Sequence, residues 1–344
     1  MVTYGDISPA VAAYSIVRML KRAMPFLQLE KFGQSYPLPT NSTQTAKFRR
    51  YFLTGATGSA GSGAGGYYFP VATTPLVEGV TPAGNSISNQ DYTVTLAQYG
   101  DFVMITDVIM DTHTDNVLQE TTDILGEQAA LTVETLRFNV LKAGTNVFYA
   151  NGVAGRANVI ASISKADQRK VTTALNRQNA KKITSVVAST ADYGSKSVEA
   201  AYMAVCHPDL ESDIREMPGF KPVADYGPHT SPFEGEIGSC EQVRYLSSTV
   251  LAPWANAGAA IGTSGKRSTG GANVDVYPVL IFARDAFGIV PLKGKSSITP
   301  MVVNPKPAAG DPLGQRGTVG WKLWTATVIL QEAFMARLEV AATA

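Results

Sequence analysis

At 344 residues, with 45% hydrophobic and 17% charged side chains, the chain is too apolar to stay disordered and long enough to bury a large core. Twenty-nine basic residues against 28 acidic ones leave a formal net charge of +1, with no run of Lys or Arg longer than two. That balance argues against a protein whose main work is gripping nucleic acid, because such proteins draw most of their affinity from a basic face or tail on phosphates. No basic leader precedes an apolar core at the N-terminus and no apolar stretch is long enough to span a bilayer, so no membrane partner is expected. Cys206 and Cys240 are too few for a disulfide framework and read as unpaired buried thiols of a reducing compartment.

In chain order, residues 1 to about 45 read as an arm. Ser8-Pro9 starts a helix, with Ser8 as cap and Pro9 at the first helical position; it runs through Ala12, Ile16, Met19 and Leu20 and stops at Pro25. Tyr36-Pro37-Leu38-Pro39 excludes regular helix. A long hairpin follows. Its outgoing strand is Ala46 to Leu53, its tip the low-complexity run Gly55 to Gly66, and its return leg alternates Tyr92, Val94 and Leu96 against Thr93, Thr95 and Ala97. The strand pattern resumes from Phe102 to Ile109. A two-stranded arm is marginal by itself and needs a partner surface.

Residues 115–143 predict one long helix, capped by Thr114 or Asp115 and stopped at Ala143-Gly144. Val117, Ile124, Leu131 and Phe138 recur every seven residues, and Leu118, Leu125, Ala129, Leu136 and Val140 widen the stripe. A compact mixed region comes next. It has a helix from Lys165 to Gln178, a strand from Ala201 to Cys206, a helix from Pro208 to Glu216, a strand with a turn from Glu236 to Leu246, and a Gly/Ala/Ser-rich loop over 254–273. Val276–Phe282 and Phe287–Leu292 read as strands. After the proline-rich stretch from Pro300 to Pro312, a long strand pattern runs from Thr318 to Val340.

The chemical motifs fail on their own mechanics. Gly55, Gly58 and Gly61 have the spacing of a dinucleotide-binding turn, but that turn needs a helix directly after it, and Ser62 to Pro70 will not form one. Gly262 to Ser268 resembles a P-loop, yet Ala260 stands where the first glycine belongs and Arg267 where the magnesium-binding hydroxyl belongs. His113, between Asp111 and Asp115, lies where a strand hands over to the long helix, and His207-Pro208-Asp209 marks another strand-to-helix turn. His229 sits in a loop. No Cys/His cluster has zinc spacing and no nucleophile elbow is present. The expectation is therefore no enzyme: no catalytic, cofactor-binding or metal residues, and no cofactor.

The order of parts carries more than any motif. Pro75 to Gly84 resembles the return leg of an extended loop, Tyr99 to Asp107 the entry to a spine helix, and Gly126 to Ala130 with Leu136-Arg137 the spine helix itself. Cys206 to Leu210 and Phe287 to Val290 are similar to an axial domain and its exit. Together these resemble the Hong Kong 97-type fold of tailed-bacteriophage major capsid proteins over nearly the whole chain. The resemblance implies an α+β fold with an N-terminal arm at 1–45 and an extended loop at 46–98. A peripheral domain at 99–164 contains the spine helix 115–143, an axial domain covers 165–300, and 301–344 returns to the peripheral domain. It further implies pentamers and hexamers of copies of the chain, tiling an icosahedral shell around double-stranded DNA held by weak non-specific contacts. Expected partners are a portal, a decoration protein and, since the arm starts at Met1, a separate scaffold protein. The expected location is the virion, after assembly in the host bacterial cytoplasm. The alternatives are an encapsulin-like shell around protein cargo and a dinucleotide-binding enzyme using the Gly55 to Gly61 turn.

Overall fold

Fourteen strands and four α-helices order the chain among the residues described by the computed structural model: 27–39, 41, 43–53, 75–81, 84, 86–112, 117–183, 200–226, 233, 235–292, 298–307 and 310–344. In sequence they are β1 (Gln34–Ser35), β2 (Thr45–Leu53), β3 (Ile87–Thr95), β4 (Ala97–Thr106), α1 (Asp107–Thr112), α2 (Val117–Leu141), β5 (Val147–Tyr149) and α3 (Lys165–Arg177). Then come β6 (Tyr202–Cys206), α4 (Glu211–Arg215), β7 (Phe220–Pro222), β8 (Glu236–Cys240), β9 (Val243–Ser247), β10 (Val276–Phe282), β11 (Phe287–Pro291), β12 (Thr299–Val303), β13 (Arg316–Ile329) and β14 (Met335–Ala341). The predicted helix from Ser8, the glycine-rich tip 55–66, the caps Thr114 and Asp115, and His113 and His229 lie outside the described residues.

Two packing units divide the chain. The first comprises Met1–Ala46, Thr95–Asn139 and Ile289–Thr327. Its sheet runs β1-β11-β13-β12, with β4 also on β13. The core forms where α2 lies on this sheet: Leu118, Leu125, Ala129, Ala130 and Val133 meet Ile105, Val319, Trp321 and Leu323. Polar bonds set the register, since the Trp321 indole donates to Gln128 Oε1 at 3.2 Å and Gln128 Nε2 donates to Asp101 Oδ2 at 2.6 Å. Three threonines on α2, at 121, 122 and 132, satisfy their hydroxyls on carbonyls four residues back, which lets them sit inside a helix. Buried Glu134 accepts the backbone N–H groups of Gln28 and Leu29 at 3.0 and 2.8 Å, so α2 supplies the acceptor for the short 3-10 helix Leu29–Lys31 of the arm. Arg137, buried beside it, pairs with Glu30 at 3.1 Å.

The second unit comprises Lys47–Val94, Val140–Gly288 and Val328–Ala344. Its seven-stranded sheet has the order β5-β14-β10-β6-β9-β8-β7, parallel at β5/β14 and β6/β9 and antiparallel elsewhere. Every residue of β6, β10 and β14 is buried, which explains why β6 and β10 read as continuous apolar runs without alternation. Ser164 caps α3: its hydroxyl accepts the Asp167 N–H at 3.2 Å and donates to Asp167 Oδ2 at 2.6 Å. Gln168 of α3 then pegs the helix to the sheet, donating to the Cys240 carbonyl and accepting from the Tyr245 hydroxyl. β2 and β3 pair as a two-stranded ribbon, clipped by Arg49 and Asp91 at 2.7 and 2.9 Å. The Phe48 ring rests on Gly288, where an added Cβ would come within 2.9 Å of it.

Three expectations need correction. Asp107, Val108 and Ile109 open α1 instead of extending the strand; Asp107 Oδ1 accepts the Val108 N–H at 2.8 Å. The pattern from Thr318 to Val340 is two strands in two different sheets, β13 and β14, separated by the 3-10 turn Glu332–Phe334. On α2 the seven-residue line does not face the core: Ile124 is 63% exposed and Leu131 38%, while Leu125 is buried. An unrecognised strand, β12, sits inside the proline-rich stretch. Pro300 is tolerated there because β12 pairs only with β13 and lies at a sheet edge.

Candidate functional site

Register decides which side chains share a face of the first unit's sheet. Met301, Gly320 and Phe102 lie in one row across β12, β13 and β4, and Val303, Thr318 and Met104 in the next. Successive strand residues point to opposite faces. Tyr99, Trp321 and Leu323 therefore go to the α2 side, and Phe102, Met104, Met301 and Val303 go to the other. There they stand 62, 62, 43 and 47% exposed. Gly320 and Gly100 permit this arrangement. A Cβ on Gly320 would lie 2.8 Å from the Asp101 carbonyl oxygen and the Phe102 Cβ, and one on Gly100 2.6 Å from the Trp321 carbonyl oxygen. Arg316 and Lys322 border the apolar rows on β13. A contiguous apolar patch with a polar rim marks a place where another surface is buried.

A second apolar feature lies on the return leg of the loop. Leu76, Val77 and Val80 are exposed around a tight turn, closed by the Val80 N–H on the Val77 carbonyl at 3.1 Å. Gly79 takes φ +74°, the left-handed conformation that glycine adopts without strain. β4 adds a backbone feature: among the described residues β13 is its single strand partner, so its other edge is open. Open edges and exposed apolar rows favour association with another chain.

The motifs examined in the sequence serve the fold. Lys266 of the P-loop-like run donates to the Thr343 hydroxyl at 2.9 Å and to Ser162, and Arg267 pairs with Asp209. His207 caps the turn after β6, its Nδ1 accepting the Asp209 N–H at 3.2 Å. Burial holds that imidazole below its usual range, against the pull of Asp209. Tyr277 donates to Asp209 Oδ2 at 2.8 Å; burial, with this bond, pushes its phenol up to about 12. Cys206 and Cys240 are buried and unpaired, and burial pushes both thiols up, away from reactivity. The apolar patch was missed as a unit in the sequence because half of it comes from β12.

Comparison with known proteins bears on what such surfaces do. A family model described as phage capsid protein matches residues 90–338. The capsid of Ralstonia phage GP4 superposes with a TM-score of 0.64 at 13% identity, covering 91% of this chain and 87% of that one. The cyanophage Pam1 capsid gives 0.57 at 15% identity, covering 94% and 92%, and the cyanophage P-SCSP1u capsid 0.57 at 16%, covering 92% and 88%. A search of the curated proteins finds no match.

Proposed function

The chain belongs to the phage capsid protein family, and on that premise we propose that it is a major capsid protein of Hong Kong 97-type fold whose copies form pentamers and hexamers of an icosahedral shell around double-stranded viral DNA. The five-stranded unit with its long helix is then the peripheral part and the seven-stranded unit the axial part. The role is structural, with no catalytic step. A portal and a scaffold belong to the same reading, as does assembly in a bacterial cytoplasm. A near-neutral chain suits a wall that holds DNA weakly and releases it, since each added basic contact to phosphate would tighten the hold.

The observation that carries the reading is the exposed row pair Phe102, Met104, Met301 and Val303. Covering such side chains is worth on the order of 1–2 kcal/mol each, enough to drive subunit association when several are buried together. Phe102→Ser combined with Met104→Ser removes half the patch at exposed positions. Sedimentation should show the variant remaining as small species with unchanged circular dichroism. Shells formed at unchanged yield would remove this face from the assembly. The contents of the particles separate this reading from a protein-filled compartment: nuclease-resistant DNA supports the phage capsid.

A further inference from the structure

One stripe of α2 has a composition that neither the core nor the apolar sheet face explains. Glu120, Ile124, Glu127, Leu131 and Glu134 follow one another at helical spacings of four, three, four and three, so they form a single line along the helix. Acid and aliphatic residues alternate along it. Glu120 and Ile124 are exposed, Leu131 is partly exposed, and Glu134 is buried. The buried end is occupied: Glu134 holds the N–H groups of Gln28 and Leu29. Just upstream, Leu27 packs on the core between α2 and the sheet. The 26 residues before it thus leave from one end of this stripe.

Those residues complement it. Segment 1–26 carries Arg18, Lys21 and Arg22 against the single acid Asp6, whereas α2 carries Glu120, Asp123, Glu127 and Glu134 against the single base Arg137. The helix read from the sequence over residues 9–24 puts Ala12, Ile16, Met19 and Leu20 on one face, with Lys21 and Arg22 on its flanks. Lengths agree as well. Sixteen helical residues span about 24 Å, and the stripe from Glu120 to Glu134 spans about 21 Å.

We propose that residues 9–24 of the same chain form an amphipathic helix that lies along this stripe, parallel to α2, seating Ile16, Met19 and Leu20 on Ile124 and Leu131 and placing Lys21 and Arg22 beside Glu120 and Glu127. The arm is then a second layer on α2 that locks from its Glu134 end. This assignment does not depend on the capsid reading.

The test is a cross-link in the full chain. Met19→Cys with Ile124→Cys is treated with a short bismaleimide; the native thiols are buried and contribute little background. A link within one chain, seen as a mobility shift without doubled mass, is expected. Glu120→Lys with Glu127→Lys should reduce its yield roughly fivefold, the scale of two exposed ion pairs. Adding Lys21→Glu and Arg22→Glu should restore it. Links found only between copies would assign the stripe to another subunit's arm and overturn the proposal, as would no link in a chain with native circular dichroism. Tryptic cleavage after Arg18 gives a second readout in the chain without added cysteines: the charge-reversed α2 should speed it, and equal rates would contradict the docking.

Discussion

Glu339 is the acidic residue on which the second unit's charged core depends. It is fully buried on β14, accepts Arg337 Nε at 2.8 Å, and takes a two-point contact from Arg156 at 2.7 and 2.8 Å. Arg156 also stacks 3.7 Å from the centre of the Trp254 ring, and Arg337 donates to the carbonyls of Lys142 and Gly144. One carboxylate thus ties the chain after α2, the loop at 156 and the strand β14 together. Glu339→Ala leaves two guanidinium groups without their counter-ion, one of them buried, and should cost about 3–5 kcal/mol in chemical denaturation of the unassembled chain. A loss below about 1 kcal/mol would mean that water replaces the carboxylate. Glu241 shows the opposite regime at the surface. Hydrogen bonds from Arg169 and then Lys165 lower its carboxyl from an ordinary value of 4.5 to about 2. A carboxyl held lower in the folded state than in the unfolded one adds stability above pH 4.5, and loses it as the pH falls towards about 2. Glu241→Gln should therefore flatten the acid limb of the stability profile in that window and leave it unchanged above. An unaltered acid limb would show the pairs to be fully screened.

At the scale of elements, α2 separates what periodicity tells from what it does not. Its existence and near-full extent were legible, because apolar residues recur over 25 residues without a breaker. The buried face was not. An apolar heptad line drifts about 20° per repeat on a straight helix, and the sheet covers only one side. Leu125 and Ile124 are neighbours in sequence and opposite in burial. Leu125→Asp buries a charge without a partner and should cost several kcal/mol, seen as loss of soluble folded protein. Ile124→Asp should leave the unfolding midpoint of the chain nearly in place. Equal losses at the two positions would contradict the packing. The misread strand at Asp107–Ile109 has a local cause: Val108 and Ile109 are β-branched and favour strand, and the Asp107 side chain turns the backbone instead. β14 was joined to β13 because both alternate or run apolar, and only the turn at Glu332 divides them.

The whole molecule was legible as an order of parts, and its assembly surface only in fragments. Phe102 and Met104 were visible as strand residues, but nothing in the sequence pairs them with Met301 and Val303, some 200 residues away. That neighbourhood exists only through the register of β4 and β12 on β13. What the sequence did carry is the mismatch between apolar strands and the surface one copy has to cover them, which is the physical signature of a subunit. The central claim is that this chain closes shells of itself. Electron microscopy of the purified full chain tests it most directly. The account predicts closed icosahedral particles with the Phe102 face covered by a neighbouring copy. A monodisperse monomer that persists at high concentration with that face open to solvent would contradict it.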